Sequence, residues 1–101
     1  MSERRQYKIK TILVNGLQVN EVIISSHYEE NHLNYMNDDL ILKLINELDG
    51  RREIPVAKKQ GFSYFVTLVE YLDKPYKLVW LLENDAIYVG VINAHRIKRR
   101  R

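Results

Sequence analysis

Asn15-Gly16 is the pair that most constrains the fold, because it stands between two runs of alternating apolar and polar residues. Asn-Gly suits a two-residue type I′ turn, in which both central residues need positive φ. Residues 7–14 and 17–24 are therefore expected to form a β-hairpin. A two-residue loop sets its register, pairing Val14 with Leu17, Ile12 with Val19, Lys10 with Glu21 and Ile9 with Val22. The Lys10 and Glu21 pair would add a few tenths of a kcal/mol, on the order of other cross-strand ion pairs.

Beyond the hairpin, Asn37-Asp38-Asp39 opens the clearest helical pattern, with Asn37 as N-cap, acids in the first turn and Gly50 as the stop. Leu40, Ile41, Leu44, Ile45 and Leu48 form one apolar stripe, so this helix needs a sheet to lie on. Residues 51–61 are polar, contain Pro55 and Gly61, and read as a loop carrying Arg51, Arg52, Lys58 and Lys59. Three strands are expected at 62–72, 76–82 and 86–93, joined by short turns into an antiparallel meander. The run 76–82 is nearly continuous in apolar residues, which predicts a central strand covered on both faces. Ile87, Val89 and Val91 would face the helix, with Tyr88, Gly90 and Ile92 on the other side. The expected class is thus α+β: an N-terminal β-hairpin, a short helix plus one main amphipathic helix, and a three-stranded antiparallel meander with the helix on one sheet face.

With 101 residues, 46% of them hydrophobic, the chain suffices for one domain with a single core, expected over 6–97. It has no cysteine, which excludes disulfides, thiolate metal sites and thiol nucleophiles. No apolar run approaches the roughly 18 residues of a membrane span, and no leader is expected, so the chain reads as cytoplasmic, with no membrane partner. Of its 16 basic residues, nine cluster before residue 11 and after residue 95. The stretch between holds seven basic and twelve acidic residues, a balance of −5. Basic ends suit contact with a polyanion, through release of the counterions that neutralise its phosphates, and equally suit solvated tails. Residues 1–5 and 98–101 are expected to be disordered.

Chemistry, where the chain performs any, is expected in Ser25-Ser26-His27-Tyr28-Glu29-Glu30-Asn31-His32, between the hairpin and the main helix. Ser26 and Glu29 fit a capping box, so a short helix would run from His27 to about Tyr35. His27 and His32 would point apart on such a helix and could converge in an irregular segment. Five residues is not a metal-binding spacing on a helix, and neither a His-Glu-x-x-His pattern nor a phosphate-binding glycine loop is present. No metal and no cofactor are expected.

This order of elements, with Ser-His-Tyr-Glu-Glu-Asn-His before the helix, Tyr64-Phe65 in the first meander strand and Asn93-Ala94-His95-Arg96 closing the last, resembles the barnase, EndoU, colicin and RelE superfamily of small ribonucleases. Within it, the chain is most similar to the RelE/ParE-like toxins of bacterial toxin-antitoxin pairs. The resemblance implies an endoribonuclease, an RNA substrate and a cognate antitoxin protein; ParE-like relatives act on gyrase instead. Metal-independent RNA cleavage needs a base for the 2′-hydroxyl, an acid for the leaving oxygen and a cation for the phosphorane. His27, His32 and His95 are the candidates for base and acid, with Glu30 as an alternative base. Arg96 is the candidate phosphate cation, and Tyr64 a candidate proton donor or base-stacking ring. Tyr88 could stack a base, and Arg51, Arg52, Lys58, Lys59, Lys98 and Arg99 could meet phosphates. Each has a plainer reading: His27 in a first helical turn, His32 as packing, His95 at the surface, the tyrosines as cross-strand packing, the loop cations as solvated charge. Two other functions fit the same residues, a non-catalytic nucleic-acid-binding module and an immunity- or antitoxin-type interaction protein.

Overall fold

The computed structural model describes residues 4–25, 36–84 and 87–97. The short helix expected after His27 lies outside them. Strands β1 (Arg4–Val14), β2 (Leu17–Ser25), β3 (Ala57–Lys59), β4 (Phe62–Tyr71), β5 (Lys74–Glu83) and β6 (Tyr88–Arg96) form one sheet in the order β1-β2-β6-β5-β4-β3. A single nine-residue helix among the described residues, α1 (Asp38–Asn46), lies against it. All neighbouring strands are antiparallel except β2 and β6, which run parallel. The expectation of an α+β domain built on a main amphipathic helix is therefore corrected: this is a mostly β fold, one six-stranded mixed sheet with a short helix. Two features separate the expected fold from the observed one. The 51–61 segment, expected as a loop, contributes the edge strand β3, and the β2–β6 pairing fuses hairpin and meander into one sheet.

The hairpin turns at Asn15 and Gly16, with φ of 51° and 77°. Asn15 also ties down the following loop, since its side chain accepts from Glu53 N at 2.6 Å and donates to Glu53 O at 3.0 Å. The expected register holds at Val14/Leu17 and Ile12/Val19, then breaks: an irregularity between Lys8 and Ile12 sets Lys8 opposite Glu21 and Tyr7 opposite Val22. Extra residues in β1 thus replace the expected Lys10 and Glu21 pair. Arg4 and Arg5, expected in a disordered tail, begin β1.

Asn37 caps α1, its side chain accepting from Leu40 N at 2.8 Å. Gly50, at φ 83°, turns the chain back toward the hairpin, where its N–H donates to Leu13 O. Ile41, Leu44, Ile45 and Leu48 are fully buried against Val22, Ile24, Leu78, Trp80, Val89 and Val91 in one core. At the other end of α1, the Asp38 carboxylate accepts from Arg5 Nε at 2.5 Å, Arg5 Nη2 at 2.8 Å and Tyr7 Oη at 2.5 Å. Both ends of the helix are thus bonded to β1.

Strand β5 alternates strictly. Tyr76, Leu78, Trp80 and Leu82 are buried beneath α1, while Lys77, Val79, Leu81 and Glu83 are half-buried on the other face. The expectation that residues 76–82 are covered on both faces is corrected accordingly. Val89 and Val91 are buried as their alternation predicts, but Ile87 is 52% exposed.

Candidate nucleic-acid interface

The face of the sheet turned away from α1 carries the candidate site. Cross-strand pairing aligns Tyr64 with Leu81, Leu81 with Gly90 and Gly90 with Ile23, so one row crosses β4, β5, β6 and β2. Gly90 leaves a gap in that row. A hollow of about 420 Å³ opens there, with Ile23, Leu81 and Gly90 beneath, Phe62, Tyr64 and Tyr88 around it, and Arg4 and Ser25 at one side. A Cβ on Gly90 would meet Leu81 Cδ1 at 2.8 Å, so this glycine both seats Leu81 and keeps the hollow open. The Phe62 and Tyr64 rings lie 6.3 Å apart, tilted by 42°.

Arg4 belongs to this face because its neighbour Arg5 is bonded to the helix, and side chains alternate along a strand. At the opposite corner, Tyr88 Oη donates to Glu83 Oε1 at 2.8 Å. Burial first, then that hydrogen bond and the Glu83 charge, raise the Tyr88 hydroxyl above its usual range, partly offset by the positive charge of Arg4. Tyr7 is raised as well, chiefly by its hydrogen bond to Asp38, then by burial and the Asp38 charge, against the opposing Arg5. The sign of the linkage follows. A phenol whose folded pKa exceeds its unfolded value of 10.0 adds stability that is complete below that value and is lost as pH rises through the folded pKa. The denaturant midpoint is therefore expected to fall above pH 10, and to fall less in the Tyr7→Phe/Tyr88→Phe chain. Equal losses in both chains, followed alongside tyrosinate absorbance, would refute it.

The expected site residues separate. Tyr64 and Tyr88 border the hollow. His95 pairs with Lys77 on the same face, four residues along β5 from Leu81, or about 13 Å away. Arg96 pairs with the core residue Tyr76 and is exposed on the opposite face, so the pleat divides His95 from Arg96. Lys58 and Lys59 are exposed on β3, where Lys59 pairs with Phe62 at the border of the hollow. Arg51 and Arg52 stand by the hairpin turn, where Arg51 O accepts from Asn15 N. Along β2 that turn is about 20 Å from Ile23. His27, Glu30, His32, Lys98 and Arg99 lie outside the described residues. Among the described residues no group of three His, Cys, Asp or Glu side chains could hold a metal ion, and no helix is long and apolar enough to cross a membrane.

Sequence reasoning missed Arg4, Ile23, Phe62, Leu81 and Gly90 as parts of one site. A signal existed in β4, where Phe62, Tyr64, Val66 and Leu68 alternate with the buried Phe65, Thr67 and Val69, making the strand apolar on both faces. A glycine between two valines in β6 was a second. Comparison of the chain with family models, curated proteins and solved structures finds no match.

Proposed function

We propose that this chain is a metal-independent endoribonuclease of the toxin type, which holds single-stranded RNA on the open face of its sheet. One observation carries the reading: Ser25, the residue from which the histidine-bearing segment departs, lines the aromatic hollow. His27 follows Ser25 by two residues in the chain. An unpaired base fits a site of apolar floor and aromatic walls, where stacking contributes about 1–3 kcal/mol per base. Arg4, beside Ser25, replaces Arg96 as the cation for the adjoining phosphate.

In this reading His27 takes the proton of the 2′-hydroxyl, O2′ attacks phosphorus, and the bond from phosphorus to O5′ breaks. His32 returns a proton to O5′, with Glu30 as the alternative base. The products are a 2′,3′-cyclic phosphate and a 5′-hydroxyl end. The reaction belongs in the cytoplasm, and the toxin resemblance brings with it a cognate antitoxin that would cover the open face.

The binding-module reading uses the same hollow without cleavage, and one experiment separates the two. Single-stranded RNA is incubated with the chain in the presence of a chelator, and binding and end groups are followed together for the native chain, Tyr64→Ala and Gly90→Val. The expected result is cyclic-phosphate ends with the native chain, and binding about tenfold weaker in each variant, the loss of roughly one stacked base. Binding without cleavage would replace the nuclease with the binding module. Absence of binding by the folded native chain would overturn both.

A further inference from the structure

We infer that the RNA crosses the sheet, perpendicular to its strands, from a cationic pole on β1 to a second on β3, so that the ligand is a single strand of at least four nucleotides and not a duplex. The inference rests on the nucleic-acid reading of the hollow and extends it to the strand's path and length.

Three observations define the path. First, cations stand at both edges of the open face, Arg4 and then Lys8 on β1 and Lys59 on β3, next to Lys58 in the chain, while Lys77 of the same face lies on β5 beside His95, about 13 Å from the row. Second, a smaller hollow of about 280 Å³, lined by Lys58, Lys59, Gln60, Gly61 and Asn84, shares Phe62 with the aromatic hollow, so the two sites adjoin. Third, Glu21 and Glu83 flank Tyr88 and repel phosphates from that corner. The sugar-phosphate chain is left the row Ile23, Gly90, Leu81 and Tyr64, which runs across the strands from one pole toward the other.

The sheet order places five inter-strand spacings between β1 and β3, or about 24 Å. A stacked single strand advances about 3.4 Å per phosphate and a splayed one roughly twice that, so about four to seven nucleotides bridge the poles. A duplex cannot offer a base to the hollow while its bases remain paired.

The test measures binding of the full chain to 2′-O-methyl oligonucleotides, which lack the attacking hydroxyl, from two to ten nucleotides long and at several salt concentrations. Affinity is expected to rise up to four to seven nucleotides and then level off. An eight-base-pair duplex should bind at least tenfold more weakly than the single strand. Arg4→Ala and the Lys58→Ala/Lys59→Ala pair should each lower the log–log salt slope by about 0.7 for every phosphate no longer neutralised, while Lys74→Ala, outside the path, leaves it unchanged. A plateau at two nucleotides, an unchanged slope in the β3 variant, or equal duplex affinity would overturn the path while leaving single-base binding intact. Failure of every oligonucleotide to bind would remove the RNA reading itself.

Discussion

Replacing Trp80 with alanine is expected to lower the free energy of unfolding by about 3–5 kcal/mol. Against the roughly 5–15 kcal/mol that holds a domain folded, this is a large fraction of the total. Trp80 is fully buried and stacks on Phe65 with ring centroids 4.1 Å apart. Its indole N–H also begins a chain of hydrogen bonds: Trp80 Nε1 donates to Thr67 Oγ1 at 2.9 Å, and the Thr67 hydroxyl donates to Glu53 Oε1 at 2.9 Å. Thr67 is buried, 3% exposed. Thr67→Val keeps its shape but strands the indole donor, at a cost of about 1–3 kcal/mol. In a Trp80→Phe chain that donor is gone, so Thr67→Val should cost markedly less, with a coupling of about 1 kcal/mol or more. Denaturant titrations of the four chains decide it, and strictly additive losses would show that the relay contributes nothing. The relay also has a functional side. Glu53 is bonded to Asn15 as well as to Thr67, and so fixes the start of the segment that leads into Lys58 and Lys59.

The second large effect concerns catalysis. His27→Ala is expected to slow RNA cleavage by about 10²–10⁴-fold, the usual contribution of a positioned acid or base. Binding of 2′-O-methyl oligonucleotide and the denaturant midpoint should be unchanged. His95→Ala is expected to change cleavage by less than about threefold, because His95 lies about 13 Å along the sheet from the Leu81 and Gly90 row. His95, near the end of β6, is thereby set apart from the hollow by its distance along the sheet. Equal rate losses in the two variants would move the reacting phosphate toward His95 and remove the hollow from the mechanism. Native rates in His27→Ala would end the role assigned to the segment after Ser25.

Local chemistry made several elements legible. Asn15-Gly16 declared a tight turn because few other pairs tolerate positive φ at two successive residues, and both have it. Asn37 declared a helix start because its side chain can meet the N–H groups a first turn leaves open, and it bonds Leu40 N. The meander followed from short turns between alternating runs. The residues of the site were visible only one at a time, as Tyr64 and Tyr88 among many aromatics.

What the sequence could not show depends on residues far apart in the chain. The parallel contact of Val22 and Ile24 with Val89 and Val91 is between segments more than sixty residues apart, and it alone makes hairpin and meander one sheet. The bulge before Ile12 moved Glu21 from Lys10 to Lys8, a shift no turn rule contains. The pleat put His95 and Arg96, both candidates for the catalytic site, on opposite faces. Turns, the helix cap and the alternation within the hairpin strands were written in the chain itself, because they depend on neighbours within a few residues. The order of strands was not, nor was the meeting of Arg4, Ile23, Leu81 and Tyr64 around Gly90, because cross-strand contact is set by registers between distant segments.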